Sequence, residues 1–88
     1  MHLQKQPAQA KLSRQLVLQL PYRLSVELVA EWLRQNDVRG FDRKGLHRMI
    51  TQMKTLRLGQ RIDVDTNHFI AVDAAYFVLT PRFPKQPL

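Results

Sequence analysis

Leu16, Leu18 and Leu20 alternate with Val17 and Gln19 ahead of Pro21. That period of two predicts a short N-terminal strand over 16–20, ended by the proline. The period then lengthens. Val26, Val29 and Leu33, with Leu28 and Trp32 beside them, recur at helical spacing and form a wide apolar stripe. Ser25 is the expected N-cap of this helix, Glu27 complements the dipole in its first turn, and Leu24 is placed to staple onto Val29. The helix should end near Asn36-Asp37. A second helix is expected from Asp42, because Leu46, Met49, Ile50 and Met53 fall at i, i+3, i+4 and i+7. Phe41 before its cap and Leu46 inside it repeat the staple pattern. Its other face carries Arg43, Lys44, His47, Arg48, Gln52 and Lys54, and Gly45 weakens it by about 1 kcal/mol relative to Ala.

Gly59 closes the helical half with a turn. From Arg61 the period returns to two, with Ile62 and Val64 alternating with Asp63 and Asp65. Thr66-Asn67 reads as a turn, Phe69 to Val72 as a second strand, Asp73-Ala74-Ala75 as a second turn, and Tyr76 to Leu79 as a third strand stopped by Pro81. The fold class is therefore α+β: two amphipathic helices packed on a small, mainly antiparallel sheet built from a C-terminal three-stranded meander and a short N-terminal strand. Residues 1–14 lack an apolar period and read as a flexible basic arm, 15–80 as the single folded domain, and 81–88 as a proline-rich tail.

At 88 residues the chain holds one modest core, too small for a deep substrate cavity beside a cofactor domain. It has no cysteine, which excludes disulfides and thiolate metal clusters. No run approaches the roughly 18 apolar residues of a membrane span, and the first residues lack an apolar signal core, so a cytoplasmic protein with no membrane partner is expected. Charge changes the picture most. Fourteen Lys and Arg oppose seven Asp and Glu, for a net charge of +7, and nine of the 14 cations are Arg, the residue best shaped for phosphate. Such a balance is the footprint of a nucleic-acid partner.

Catalytic chemistry lacks an inventory. The glycines at 40, 45 and 59 are isolated, so no phosphate-cradling loop is present, and the serines are confined to positions 13 and 25. No catalytic residue, metal ligand or bound cofactor is therefore assigned. Asp63-Val64-Asp65-Thr66-Asn67 begins like a calcium loop, but His68 stands where the turn needs Gly and Ala74 where a bidentate Glu is required. The histidines at 2, 47 and 68 are too dispersed for a local zinc site. The best local signal is basic. Arg43, Lys44, His47 and Arg48 are spaced to share one helix face, Arg39 precedes them, and Arg57 and Arg61 follow where the chain enters the sheet. These seven are the candidate nucleic-acid contacts, against the plainer reading of a solvated helix face. Trp32 belongs to the core. Of Tyr76 and Phe77 one must face inward and the other outward, where an aromatic can pack at an edge or stack a base.

The order of these segments resembles a known family. Leu20-Pro21-Tyr22-Arg23-Leu24, then Val29-Ala30-Glu31-Trp32-Leu33-Arg34, looks like a Leu-Pro step followed by a helix ending in a Trp-Leu-Arg pattern. Val38, the helix from Asp42 to Met53, and Leu58-Gly59-Gln60-Arg61-Ile62-Asp63-Val64 follow, the last similar to a Pro-Gly-Lys-Arg-x-x-Leu step into a sheet. Phe69-Ile70-Ala71-Val72 and Tyr76-Phe77-Val78-Leu79 complete the series. About three quarters of the chain is similar in this way to the substrate-binding accessory domain of the tRNA(Ile)-lysidine synthetase family. It departs in having Leu58 where Pro is common and no glycine pair in the first sheet turn. It also lacks the family's ATP-pyrophosphatase loop, Ser-Gly-Gly-x-Asp-Ser, which adenylates a wobble cytidine before lysine attacks. The resemblance implies a tRNA partner and a PP-loop ATP-binding catalytic domain in cis or trans, with ATP and Mg confined to that separate domain. Two other readings compete. A winged-helix DNA-binding module would use 42–54 as its recognition helix and would need helicity at 11–20. A protein-interaction domain would dock a partner enzyme on an apolar sheet face.

Overall fold

The computed structural model describes residues 10–81; the arm expected up to residue 9 and the tail expected from 82 lie outside the described residues. The elements run β1 (Lys11–Ser13), α1 (Arg14–Gln19), α2 (Tyr22–Gln35), α3 (Arg43–Thr55), β2 (Arg61–Asp63), β3 (His68–Val72) and β4 (Tyr76–Pro81). The fold is α+β, with three helices and one four-stranded antiparallel sheet ordered β1-β4-β3-β2. The expected meander is β2-β3-β4, and Ile62 pairs with Ile70, which pairs with Leu79. The inward positions of all four strands (Leu12, Ile62, Ile70, Val72, Phe77 and Leu79) are buried together with Val17, Val29, Trp32, Leu33, Val38 and the α3 stripe. Burial of each such aliphatic or aromatic side chain is worth about 1.5–3 kcal/mol. The helices thus cover one face of the sheet.

The N-terminal region departs from the sequence reading. Residues 16–20 are not a strand: Arg14–Gln19 is a helical turn and a half, and the N-terminal strand lies at Lys11–Ser13, paired with β4. The folded unit so begins ahead of residue 15, inside the segment expected to be a free arm. The alternating leucines misled because Leu16 and Leu18 point to solvent, at 42% and 45% exposure, while Val17 is fully buried. Helix α1 is too short to persist by itself. Ser13 caps it by accepting from the Leu16 N–H at 3.2 Å. Its C-terminal carbonyls are bonded from a distance: Lys54 Nζ donates to Val17 O at 2.8 Å and to Leu20 O at 2.9 Å, and Ser25 Oγ donates to Val17 O at 3.1 Å.

Ser25 is accordingly not an N-cap. Helix α2 starts three residues earlier, at Tyr22, and the Pro21 carbonyl accepts its first backbone bond, from Ser25. Proline at a helix start forfeits no bond, since N–H groups there lack intrahelical partners. The staple expected from Leu24 is absent for the same reason, because Leu24 lies within the helix and is 46% exposed. The end of α2 falls where expected. Asn36 caps it, its side chain donates to Trp32 O at 2.9 Å, and Asp37 takes a left-handed conformation with φ 64°. Asp42 caps α3 as expected, with Oδ1 accepting from the Gly45 N–H at 2.7 Å. A β-carbon at Gly45 would stand 2.9 Å from that same oxygen, so the glycine that lowers helix propensity also lets the cap close. Gly59 takes φ 83°, a left-handed turn that feeds the chain into β2.

Candidate nucleic-acid interface

Helix α3 buries Leu46, Met49, Ile50 and Met53 and contains no Asp or Glu. Successive residues are rotated by about 100°. Lys44 and Arg48 therefore stand opposite the buried stripe, on the ridge shared with Thr51 and Thr55. Arg43 and His47 lie a quarter turn round, toward α2. There they line a groove with Tyr22, Arg23, Glu27, Glu31 and Arg34. Tyr22 ties the two helices together: its hydroxyl donates to His47 O at 3.0 Å and lies 3.0 Å from His47 Nδ1, with ring centroids 5.4 Å apart.

The expected single face is thus two adjoining strips that differ in electrostatics. The groove strip is mixed. Arg34 pairs with Glu31 at 3.5 Å, and Glu27 lies among the arginines. The outer strip, Lys44 and Arg48, has no acid beside it. Arg43, Lys44, Arg48 and Arg57 are exposed and make no side-chain hydrogen bond or ion pair among the described residues. Arg43 and Lys44 also sit in the first turn of α3, where a cation opposes the helix dipole by about 0.3–1 kcal/mol each. Asp42 offsets this in part. Cations placed against the dipole, with no internal partner, create an electrostatic demand that an external anion can meet.

The other candidates separate from this group. Arg39 is in the α2–α3 loop and pairs with exposed Asp37 at 3.6 Å. Arg57 lies just past α3, with its backbone N–H donating to Gln60 Oε1 at 2.8 Å. Arg61 belongs to the sheet face turned away from the helices, where its guanidinium lies 4.6 Å from the Phe69 ring centroid. Lys54, counted with the polar face of the second helix, is occupied in closing α1. Sequence reasoning missed Tyr22 and Arg23, because α2 meets α3 only in three dimensions. An exposed Tyr-Arg pair just ahead of an apolar stripe was the available signal.

The β2–β3 hairpin is acidic at its tip. Asp65 Oδ1 accepts from the Asn67 N–H at 2.7 Å and from His68 Nδ1 at 3.2 Å. Partial burial alone would raise the Asp65 pKa, but these hydrogen bonds and the His68 ring outweigh it and hold the carboxyl below its ordinary value. The tip is thus anionic at neutral pH. Among the described residues no group of three or more His, Asp or Glu is placed to hold a metal ion, and no helix is long and apolar enough to cross a membrane. No protein-family model, curated protein or solved structure matches the chain.

Proposed function

We propose that this chain is a non-catalytic tRNA-binding accessory domain, resembling that of the tRNA(Ile)-lysidine synthetases. In this reading it grips tRNA phosphates and leaves ATP-dependent lysidine formation at the wobble cytidine to a separate PP-loop catalytic domain, in cytoplasm. The observation that carries the RNA-binding part is the acid-free α3, with Arg43, Lys44 and Arg48 exposed and unpaired among the described residues. The A-form major groove is too deep and narrow for a helix to enter, so α3 would lie along the backbone and read shape. The choice of tRNA rests on the resemblance of 20–34 and 58–79 described above. Positioning a substrate in this way aids catalysis without a catalytic residue.

A winged-helix DNA-binding reading gains one specific point: α1 supplies the helix at 11–20 that it requires. Against it stands the hairpin tip, where the ionised Asp65 would face phosphate in the position of a wing. Fluorescence anisotropy with tRNA and with duplex DNA of equal charge, at two salt concentrations, separates the readings. A preference for tRNA that survives the higher salt is expected. Tighter binding to DNA would overturn the proposal in favour of the winged helix.

A further inference from the structure

The groove between α2 and α3 has an apolar floor and a charged rim. Val26 and Ala30 of α2, Phe41 of the loop and Leu46 of α3 form the floor. Arg23, Glu27 and Arg34 stand along the α2 rim, and exposed Asp37 continues the row just past the Asn36 cap. With Ala30 these positions are spaced alternately by four and three residues, the seam spacing of packed helices, and the four within α2 fall inside an arc of about 60°. Arg23 and Glu27 lie one turn apart, yet neither side chain makes a hydrogen bond or ion pair among the described residues. Arg34 and Asp37 have exposed partners, Glu31 at 3.5 Å and Arg39 at 3.6 Å, and exposed pairs of this kind exchange readily.

The signs along this row run plus, minus, plus, minus, with the small Ala30 at its midpoint. Such a row complements itself when reversed. We propose that the α2–α3 groove is a self-association surface, on which a second copy of this chain lays its α2 antiparallel about a two-fold axis at Ala30. Arg23 of each copy then meets Asp37 of the other, Glu27 meets Arg34, and the apolar floors cover one another. The register is specified against its neighbours. Sliding by one turn sets Arg23 against Arg34 in one direction and Glu27 against Asp37 in the other, and a parallel alignment sets every charge against its like. The chain's net charge of +7 opposes association in general, so attraction between copies needs a local pattern of this kind. Phosphate fits the groove less well, because Glu27 and Glu31 line it. The surface leaves the Lys44–Arg48 ridge free and does not rest on the tRNA reading.

Analytical ultracentrifugation of the 88-residue chain, without RNA and from micromolar to millimolar concentration, tests this. A concentration-dependent rise to twice the 10.4 kDa mass of one chain is expected. Glu27→Arg and Arg34→Glu should each weaken the dimer about tenfold or more, because each sets like charges face to face at two places across the axis. Mixed in equal amounts, the two variants should form a heterodimer, since each supplies the charge that the other lacks. That rescue cannot come from a damaged fold. A chain that stays monomeric throughout would overturn the proposal and leave the groove to a different partner. A dimer indifferent to both single variants, or variants that fail to pair when mixed, would overturn it as well.

Discussion

Helix α3 and the β2–β3 hairpin follow one another along the chain and carry opposite charge, but they differ more in how those charges are bonded. In the hairpin, the Asp65 carboxylate accepts from Asn67 and His68, and its charge shapes the turn. In α3, Arg43, Lys44 and Arg48 are bonded to nothing among the described residues, and two of them oppose the dipole of their own helix. Charge that is satisfied internally builds structure. Charge left unsatisfied, in a position unfavourable for the helix, is available to a ligand. Lys54 makes the same point within α3: it has the same side chain as Lys44, yet its ammonium is committed to two carbonyls of the α1 end.

The comparison breaks most completely if the shared core is opened. Ile50 is fully buried under α3, so Ile50→Ala should destabilise the domain by about 2–5 kcal/mol, seen as a lower melting temperature that affects helix and hairpin together. Next comes the charge set. Replacing Arg43, Lys44 and Arg48 by Ala should weaken tRNA binding by about two orders of magnitude while leaving the melting temperature unchanged or raised. Removing the Asp42 cap comes third. Asp42→Ala should cost about 1 kcal/mol of stability, read by denaturant unfolding. Gly45→Ala sharpens that result, because a gain of about 1 kcal/mol in helix propensity is set against displacement of the same capping oxygen. A net change near zero is expected.

The hairpin gives a small effect that depends on pH. The folded Asp65 pKa lies below its unfolded value, so the stability it contributes is present above about pH 4 and is lost as pH falls through the lowered value. Asp65→Asn should melt slightly below the unsubstituted chain at pH 7, and the difference should vanish in strong acid. A gap that widens as pH falls would contradict the bonding described for the turn.

Much of this architecture is written in local pattern. The apolar stripes of α2 and α3, the Asp42 cap, the Gly59 turn and the alternation of β2 and β4 are short-range signals, and each produces its element. That Tyr76 and Phe77 face opposite sides follows from strand alternation, and the packing of the sheet decides that Phe77 is the buried one. What local pattern hides is what distant residues decide. Strand β1 exists because Lys11–Ser13 meet β4 more than sixty residues on. Helix α1 survives because Lys54 and Ser25 bond its end. The basic site was legible as a charge run, but its division between groove and ridge depends on how α2 packs beside α3. The Arg61–Phe69 and Lys11–Tyr76 cation–ring pairs depend on sheet register, which the sequence alone leaves open.

The most direct test of the central claim is the salt dependence of tRNA binding, compared between the unsubstituted chain and the Arg43→Ala/Lys44→Ala/Arg48→Ala variant. If these three cations hold phosphates, the slope of log affinity against log salt should become shallower by about 2–3 in the variant. An unchanged slope would mean that tRNA is held elsewhere on the molecule, and that the unpaired charge of α3 is only a solvated surface.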